Sequence, residues 1–409
     1  MTQINKIYVD GYKNISETTL VLARPNQSIT ILLAPNNYGK TNMLDAIKFA
    51  ASLVGMGDRE QQRKIRRNEY TSHNTTNASK CFSFEIDFSY DDVGLVYGFE
   101  VSPGNGVEAE WLKVNDEEVF TRYKSDEGKW VVSLYKSLRY LIPDFLLFVS
   151  VPIVGEDDSS IDAKVGKYTE IVREALSKTA SMLYDKETSV KEYTEILSTD
   201  IERDEKIIEF FEKKADGEFN DFKVTFLNLF PDITDFRFVE LYYGLEPKKR
   251  KDRTPDAYRL EFDQQGKKTV RFNHLSSGTR NVFLLILNIF IRRENPLIAI
   301  EEIENGIHMS LYRDILNVLA DICRNTKVLL TTHSLPLTKH FQRDFYSSYY
   351  VGSPNDQGYA NFQPLKPSME HHVRKTSKVY RVAIGELIFD MLTNTDDTKA
   401  ELKGWLGHE

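Results

Sequence analysis

Residues 29–44 read ITILLAPNNYGKTNML, an apolar run that breaks at Ala-Pro-Asn-Asn-Tyr-Gly and resumes beyond Lys40, Thr41 and Asn42. A phosphate loop needs backbone N–H groups converging at a helix N-terminus, a lysine for the outer phosphates and a hydroxyl for magnesium. Gly39, Lys40 and Thr41 supply the end of that pattern, G-x-x-x-x-G-K-[ST]. Its first position holds Ala34 instead of glycine, which the loop tolerates while the backbone there keeps a negative φ. Taken alone, these residues fit an ordinary strand-to-helix turn as well as a phosphate loop.

Three further stretches bear on the choice. In LIAIEEIENGIH (297–308), four apolar residues lead into Glu301 and Glu302, as a buried parallel strand would deliver two carboxylates to its C-terminal end. Adjacent acids there divide the labour: one orders magnesium and its water, the other polarises the attacking water. KVLLTTHSLPL adds a second apolar strand, tipped by Thr332, His333 and Ser334, groups able to reach a γ-phosphate or the attacking water. In FNHLSSGTRN (272–281), Ser276, Ser277 and Gly278 stand at the start of the apolar helix VFLLILNIFI, and free N–H groups at such a start form an anion site. It lies about 235 residues beyond the phosphate loop, a useful place if it serves another subunit's nucleotide.

The elements around these motifs follow from periodicity. INKIYVDGYKNI, TTLVLA and SITILLA read as three strands of a sheet that starts antiparallel, and residues 41–55 as an amphipathic helix. Residues 81–150 alternate apolar and polar positions between Gly, Asp and Asn turns, which predicts an antiparallel meander. Residues 161–225 are charged, with apolar residues at three- and four-residue steps, and predict an inserted helical lid. Strands at 236–243, 257–263 and 268–272 precede a helix after Ser277, a strand at 297–301, a helix at 308–323 and a strand at 327–332. That closing alternation suits a parallel α/β core. The division expected is 1–155 and 231–345 for two parts of one catalytic head, 156–230 for the lid and 346–409 for a C-terminal extension.

Composition narrows the class. The 409 residues are 41% hydrophobic and 28% charged, as in a packed globular protein. No apolar stretch matches a spanning helix, and the start MTQINKIYVDGYKN lacks a secretory pattern, so a cytoplasmic protein without a membrane partner is expected. Cys81 and Cys323 form no CxxC pair and read as buried apolar residues, which argues against a disulfide framework or structural zinc. A net charge of −8 argues against coating DNA along the whole chain; PKKRKDR (247–253) and RKIRR (63–67) are local basic runs that suit solvated faces or phosphate contacts.

In this order the motifs resemble those of the soluble ATP-binding-cassette (ABC) ATPases, the branch with the structural-maintenance-of-chromosomes (SMC), RecF, Rad50 and overcoming-lysogenization-defect proteins, of the AAA-15/AAA-21 type. APNNYGKTN is similar to Walker A, LSSGTR to the signature, IAIEEIENGIH to Walker B with its D-loop, and LLTTHS to the histidine switch. The resemblance frames about residues 1–335 and implies an ABC-type P-loop NTPase head: α/β, with a mixed sheet, an antiparallel β subdomain and a short inserted helical lid. It implies ATP and Mg2+ as cofactors. Asn36, Asn37, Gly39, Lys40, Thr41 and Asn42 would bind nucleotide, with Thr41 and Glu301 on the metal. Glu302 would be the general base, His333 the γ-phosphate sensor, and Ser276, Ser277 and Gly278 contacts to the nucleotide of the opposite subunit. Ala34 and Glu301 depart from the family's glycine and aspartate, which points to shifted magnesium geometry or slow hydrolysis. No residue matches the Q-loop glutamine; Gln61 and Gln62 lie in a charged helical stretch, and 68–77 is the alternative place for a substitute.

The resemblance further implies a homodimer or higher even oligomer closed by two sandwiched nucleotides. A lid of about 65 residues is too short for a DNA-spanning coiled coil at about 1.5 Å per residue. The stretch after His333 lacks the DxD pair of a fused Toprim nuclease, so none is expected. Free-standing ATPases of this kind resemble subunits of bacterial anti-phage systems, which implies a separately encoded effector, nuclease or toxin, with DNA or a phage protein as trigger. The alternative is a RecF- or SMC-like DNA-binding repair ATPase; the near-even mixture of acids and bases in the lid favours a protein partner. A third reading is a nucleotide-binding scaffold that barely hydrolyses. The apolar tail VYRVAIGELIFDMLTN (379–394) suits core packing or a docking helix.

Overall fold

A computed structural model describes residues 2–22, 28–34, 38–55, 61, 63–65, 67–71, 81–125, 127–134, 147, 161–180, 183–184, 217–242, 257–266, 269–323, 326–332, 334, 347–354 and 359–364. The chain divides into two units, one drawn from Met1–Leu183, Asn295–Glu302 and Cys323–Glu409, the other from Tyr184–Glu294 and Ile303–Ile322.

The first unit holds two sheets and a buried helix. Strands β1 (Thr2–Asp10), β2 (Thr18–Val21), β4 (Phe82–Tyr90), β5 (Val93–Ser102), β6 (Gly106–Val114), β7 (Glu117–Lys124) and β8 (Trp130–Leu134) form an antiparallel sheet in the order β2-β1-β4-β5-β6-β7-β8. The expected meander is therefore present. Along β4, Phe82, Phe84, Ile86 and Phe88 are buried at every second position, the period of a strand with one face inward. On β6 and β7 the cross-strand pair Glu110 and Arg122 is buried as an ion pair at 2.8 Å, and the Tyr97 hydroxyl donates to Glu110 at 3.0 Å. Burial first, and then the Glu110 charge, push the Tyr97 phenol well above its ordinary range.

The second sheet has the order β16-β15-β3-β14-β13-β9, with β3 (Ile29–Leu33), β9 (Leu183–Tyr184), β13 (Leu297–Ile300), β14 (Lys327–Thr332), β15 (Ser347–Pro354) and β16 (Ala360–Pro364). Strands β15, β3, β14 and β13 are parallel, and β16 closes the edge antiparallel to β15. The sequence suggested one antiparallel start; β1 and β2 pair that way, but β3 leaves them for the parallel sheet. All five residues of β3 are buried, so no alternation marks which sheet they join. Residues 347–354 and 360–364, within the segment set apart as an extension, supply two strands of this sheet.

Helix α1 (Lys40–Gly55) is apolar on nearly every side: Met43, Leu44, Ala46, Ile47, Phe49, Ala50, Ala51, Leu53 and Val54 are buried in a core shared with residues of both sheets. Helix α2 (Ile161–Ala180), from the stretch expected as a lid, packs on α1, burying Val165, Val172, Ala175 and Leu176 at helical spacing. Gln61 is fully buried; its amide donates to the Leu53 carbonyl, and its carbonyl accepts from Leu147 N at 3.0 Å. That makes it a structural tie beyond the end of α1.

The second unit pairs β10 (Ile233–Leu241), β11 (Ala257–Gln264) and β12 (Val270–Arg271) antiparallel. It also holds α3 (Gly217–Leu229), α4 (Ser277–Arg292) and α5 (Tyr312–Ile322). Phe222, Phe226, Phe236, Phe262 and Phe283 interlock with centroids 5.0–6.1 Å apart, mostly edge to face, the arrangement aromatic quadrupoles favour. The helix expected at 308–323 begins at Tyr312, after a 3-10 turn over Met309–Leu311.

Candidate functional site

Register alone brings three motif-bearing ends together. Thr332 of β14 is level with Leu33 of β3, and Ile300 of β13 with Leu330 of β14, so the segments following all three strands leave one edge of the parallel sheet. That C-terminal edge is where open α/β sheets bind ligands. Strand β14 lies between the strand of the phosphate loop and that of the acid pair.

At this edge Lys40 is the first residue of α1 and is buried, its ammonium donating to the Ala34 carbonyl at 2.6 Å. The lysine thus closes the loop on itself. Ala34 is not among the described residues of positive φ, so its methyl meets no backbone strain. Gly39 has φ +83°, a conformation that favours glycine. Next along α1, the exposed Thr41 hydroxyl donates to the Glu301 carboxylate. A hydroxyl beside a carboxylate is a hard-oxygen pair that suits magnesium, whose remaining positions phosphate oxygens and water would fill. Among the described residues no three His, Cys, Asp or Glu side chains cluster as a metal site independent of a nucleotide.

Glu302 has φ +44°, uncommon for a residue with a side chain, and its N–H donates to the Thr331 hydroxyl at 2.9 Å. Thr331 is fully buried on β14. Sequence reasoning missed this residue; its hydroxyl, next to Thr332 at the end of the apolar run VLL, was the available signal. The neighbouring Thr332 hydroxyl accepts from Ser334 N at 3.0 Å.

Asn42 donates from its amide to Asn14 at 2.7 Å, and Lys13 pairs with Asp45 at 3.0 Å, so the turn after β1 is fastened to the start of α1. Asn36, Asn37 and His333 lie outside the described residues. So do residues 72–77 of the proposed Q-loop substitute, the run 247–253 and the tail 379–394. In the second unit Ser276 caps α4, accepting from Thr279 N at 3.1 Å; Ser277 is exposed and Gly278 half-buried. Asn281 donates to the Gly306 carbonyl at 3.3 Å, tying α4 to the loop beyond the acid pair. Cys323 is buried, its thiol pushed up to about 12 by burial, whereas Cys81 is only half-buried, a correction to the expectation that both are.

These features define an ABC-type ATPase head, a mixed α/β fold with an antiparallel sheet beside a largely parallel one. The same fold occurs in a crystal structure of an SMC head bound to the C-winged helix domain of ScpA, at TM-score 0.53 and 13% identity, covering 90% of this chain and 99% of that one. The SMC head domain from Thermotoga maritima is similar at TM-score 0.49 and 13% identity, covering 89% of this chain and 99% of that one. Residues 29–338 match the family described as "AAA domain, putative AbiEii toxin, Type IV TA system", and the chain belongs to that family. No curated protein sequence matches it.

Proposed function

We propose that the chain binds and hydrolyses ATP with magnesium, dimerises around the nucleotide, and acts as a scaffold or sensor controlling a separately encoded effector, a nuclease or toxin, in prokaryotic anti-phage defence. The observation that carries the enzymatic part is the meeting of Lys40, Thr41 and Glu301 at one sheet edge, next to Glu302 held at positive φ. Lys40 would exchange the Ala34 carbonyl for phosphate oxygens. Thr41 and Glu301 would hold the metal, and Glu302 would take the proton of the attacking water. Bound magnesium supplies charge neutralisation at the phosphates. Ser276, Ser277 and Gly278, at the exposed start of α4, would meet the nucleotide of a second copy, and His333 would report the γ-phosphate. The defence assignment rests on the toxin–antitoxin description of the family. Among the described residues no helix is long and apolar enough to cross a membrane.

The test is ATP turnover and light scattering in ATP and magnesium for the wild type, Lys40→Ala and Glu302→Gln. Wild type is expected to hydrolyse slowly. Glu302→Gln should lose about a hundredfold or more, as removal of a general base does, and accumulate as an ATP-bound dimer. Lys40→Ala should neither turn over nor associate. Turnover that survives Lys40→Ala, or an assembly state indifferent to nucleotide in all three proteins, overturns the proposal.

A further inference from the structure

Both described ends of the phosphate loop rest on one β-hairpin. Strand β15 pairs parallel with β3 as far as Val351 opposite Leu33, which sets Gly352 beside Ala34. A Cβ on Gly352 would lie 2.9 Å from the Ala34 Cβ and 2.7 Å from the ring of Phe362, its partner on β16. Ordinary carbon contacts are about 3.5–4.0 Å, so neither neighbour leaves room for a side chain at 352. At the other end, a Cβ on Gly39 would lie 2.9 Å from the Ala360 Cβ and 2.8 Å from Ile15 Cδ1.

The hairpin itself is pinned. Ala360 N donates to the Asn14 carbonyl at 2.7 Å and Ser16 N to the Ala360 carbonyl at 2.9 Å; Phe362 N donates to the Thr18 hydroxyl at 3.1 Å. Its height against the loop is therefore fixed by the turn that also fastens α1.

We infer that the β15–β16 hairpin is the seat of the phosphate loop: Gly352 admits the methyl of Ala34 at its start, and Ala360 braces Gly39 at its end. Gly352 and Ala360 are positioning residues. The glycine missing from position 34 is replaced, in steric terms, by one across the sheet. The functional meaning rests on the proposed nucleotide site, whereas the packing does not.

The experiment is amide hydrogen exchange of the loop and the start of α1, without nucleotide, in Gly352→Ala, Ala34→Gly and the double variant, alongside affinity for a fluorescent ATP analogue. Gly352→Ala should speed exchange by about fivefold or more, as overpacking does, and weaken analogue binding in proportion. Ala34→Gly should be near wild type and should restore the loop exchange of the double variant in part, the contact with the Phe362 ring remaining. Ala360→Val, crowding Gly39 from the other end, should give the same loop-confined rise, and serves if Gly352→Ala does not fold. Unchanged exchange in the variants overturns the inference. So does rescue of Gly352→Ala by Phe362→Leu but not by Ala34→Gly, because the damage then lies inside the hairpin. A wild type that binds no analogue refutes the nucleotide reading alone, since the exchange cycle still decides the seat.

Discussion

Replacing Thr331 by valine keeps the shape of a fully buried side chain and removes one acceptor, the oxygen that receives the Glu302 N–H at 2.9 Å. The left-handed backbone at Glu302, φ +44°, costs about 1–2 kcal/mol in a residue with a Cβ. A net hydrogen bond contributes about 1 kcal/mol, close to that strain, so the bond is of the right size to decide which conformation prevails. Without it, Glu302 can relax to negative φ and swing its carboxylate from the sheet edge. A shift of about 1–1.4 kcal/mol corresponds to a fall in kcat of about five- to tenfold. The assay is steady-state ATP hydrolysis with separate nucleotide binding: kcat should fall in Thr331→Val, while affinity, which the proposed site assigns to the loop and Lys40, stays within about twofold. Thr331→Ser keeps the oxygen and should recover most of the rate. Equal turnover in Thr331→Val and wild type, or an equal loss in both variants, would refute the argument that this bond places Glu302.

Two stability predictions concern groups outside the site. Glu110→Gln leaves Arg122 as a buried cation without its carboxylate and should cost about 3–5 kcal/mol, read as a lower denaturant midpoint; an unchanged midpoint would mean the pair contributes nothing. Burial holds the Cys323 thiol protonated up to about 12, against an ordinary value of 9.0, so the folded chain keeps a proton that the unfolded chain releases above pH 9. Its contribution is therefore complete below pH 9 and lost as pH rises from 9 towards 12, by at most about 1.4 kcal/mol per pH unit. Cys323→Val should flatten the fall in stability across that window, as followed by denaturant unfolding at successive pH values.

Much is legible in the sequence because the signals are local. The buried-strand composition of LIAI and KVLLTT, the helical period after Lys40 and the alternation of CFSFEIDFSY each follow from short-range geometry, and all four elements are present. What misled was the absence of a local signal. Five consecutive buried residues in β3 look the same whether they join an antiparallel or a parallel sheet. Helix α2 is amphipathic whichever element its apolar stripe meets; the structure places that stripe against α1.

By itself the sequence determined the order of the motifs, their place at strand ends, and the two departures, Ala34 and Glu301. These are properties of residue type and spacing, which chain connectivity fixes. Only the tertiary structure decided how the departures are accommodated. The Glu301 carboxylate meets Thr41 because two parallel strands and a helix bring together residues 260 positions apart, and Ala34 fits because Gly352 lies beside it. Such contacts depend on strand order, and strand order is set by which faces the whole chain can bury together, so no short window of sequence contains it.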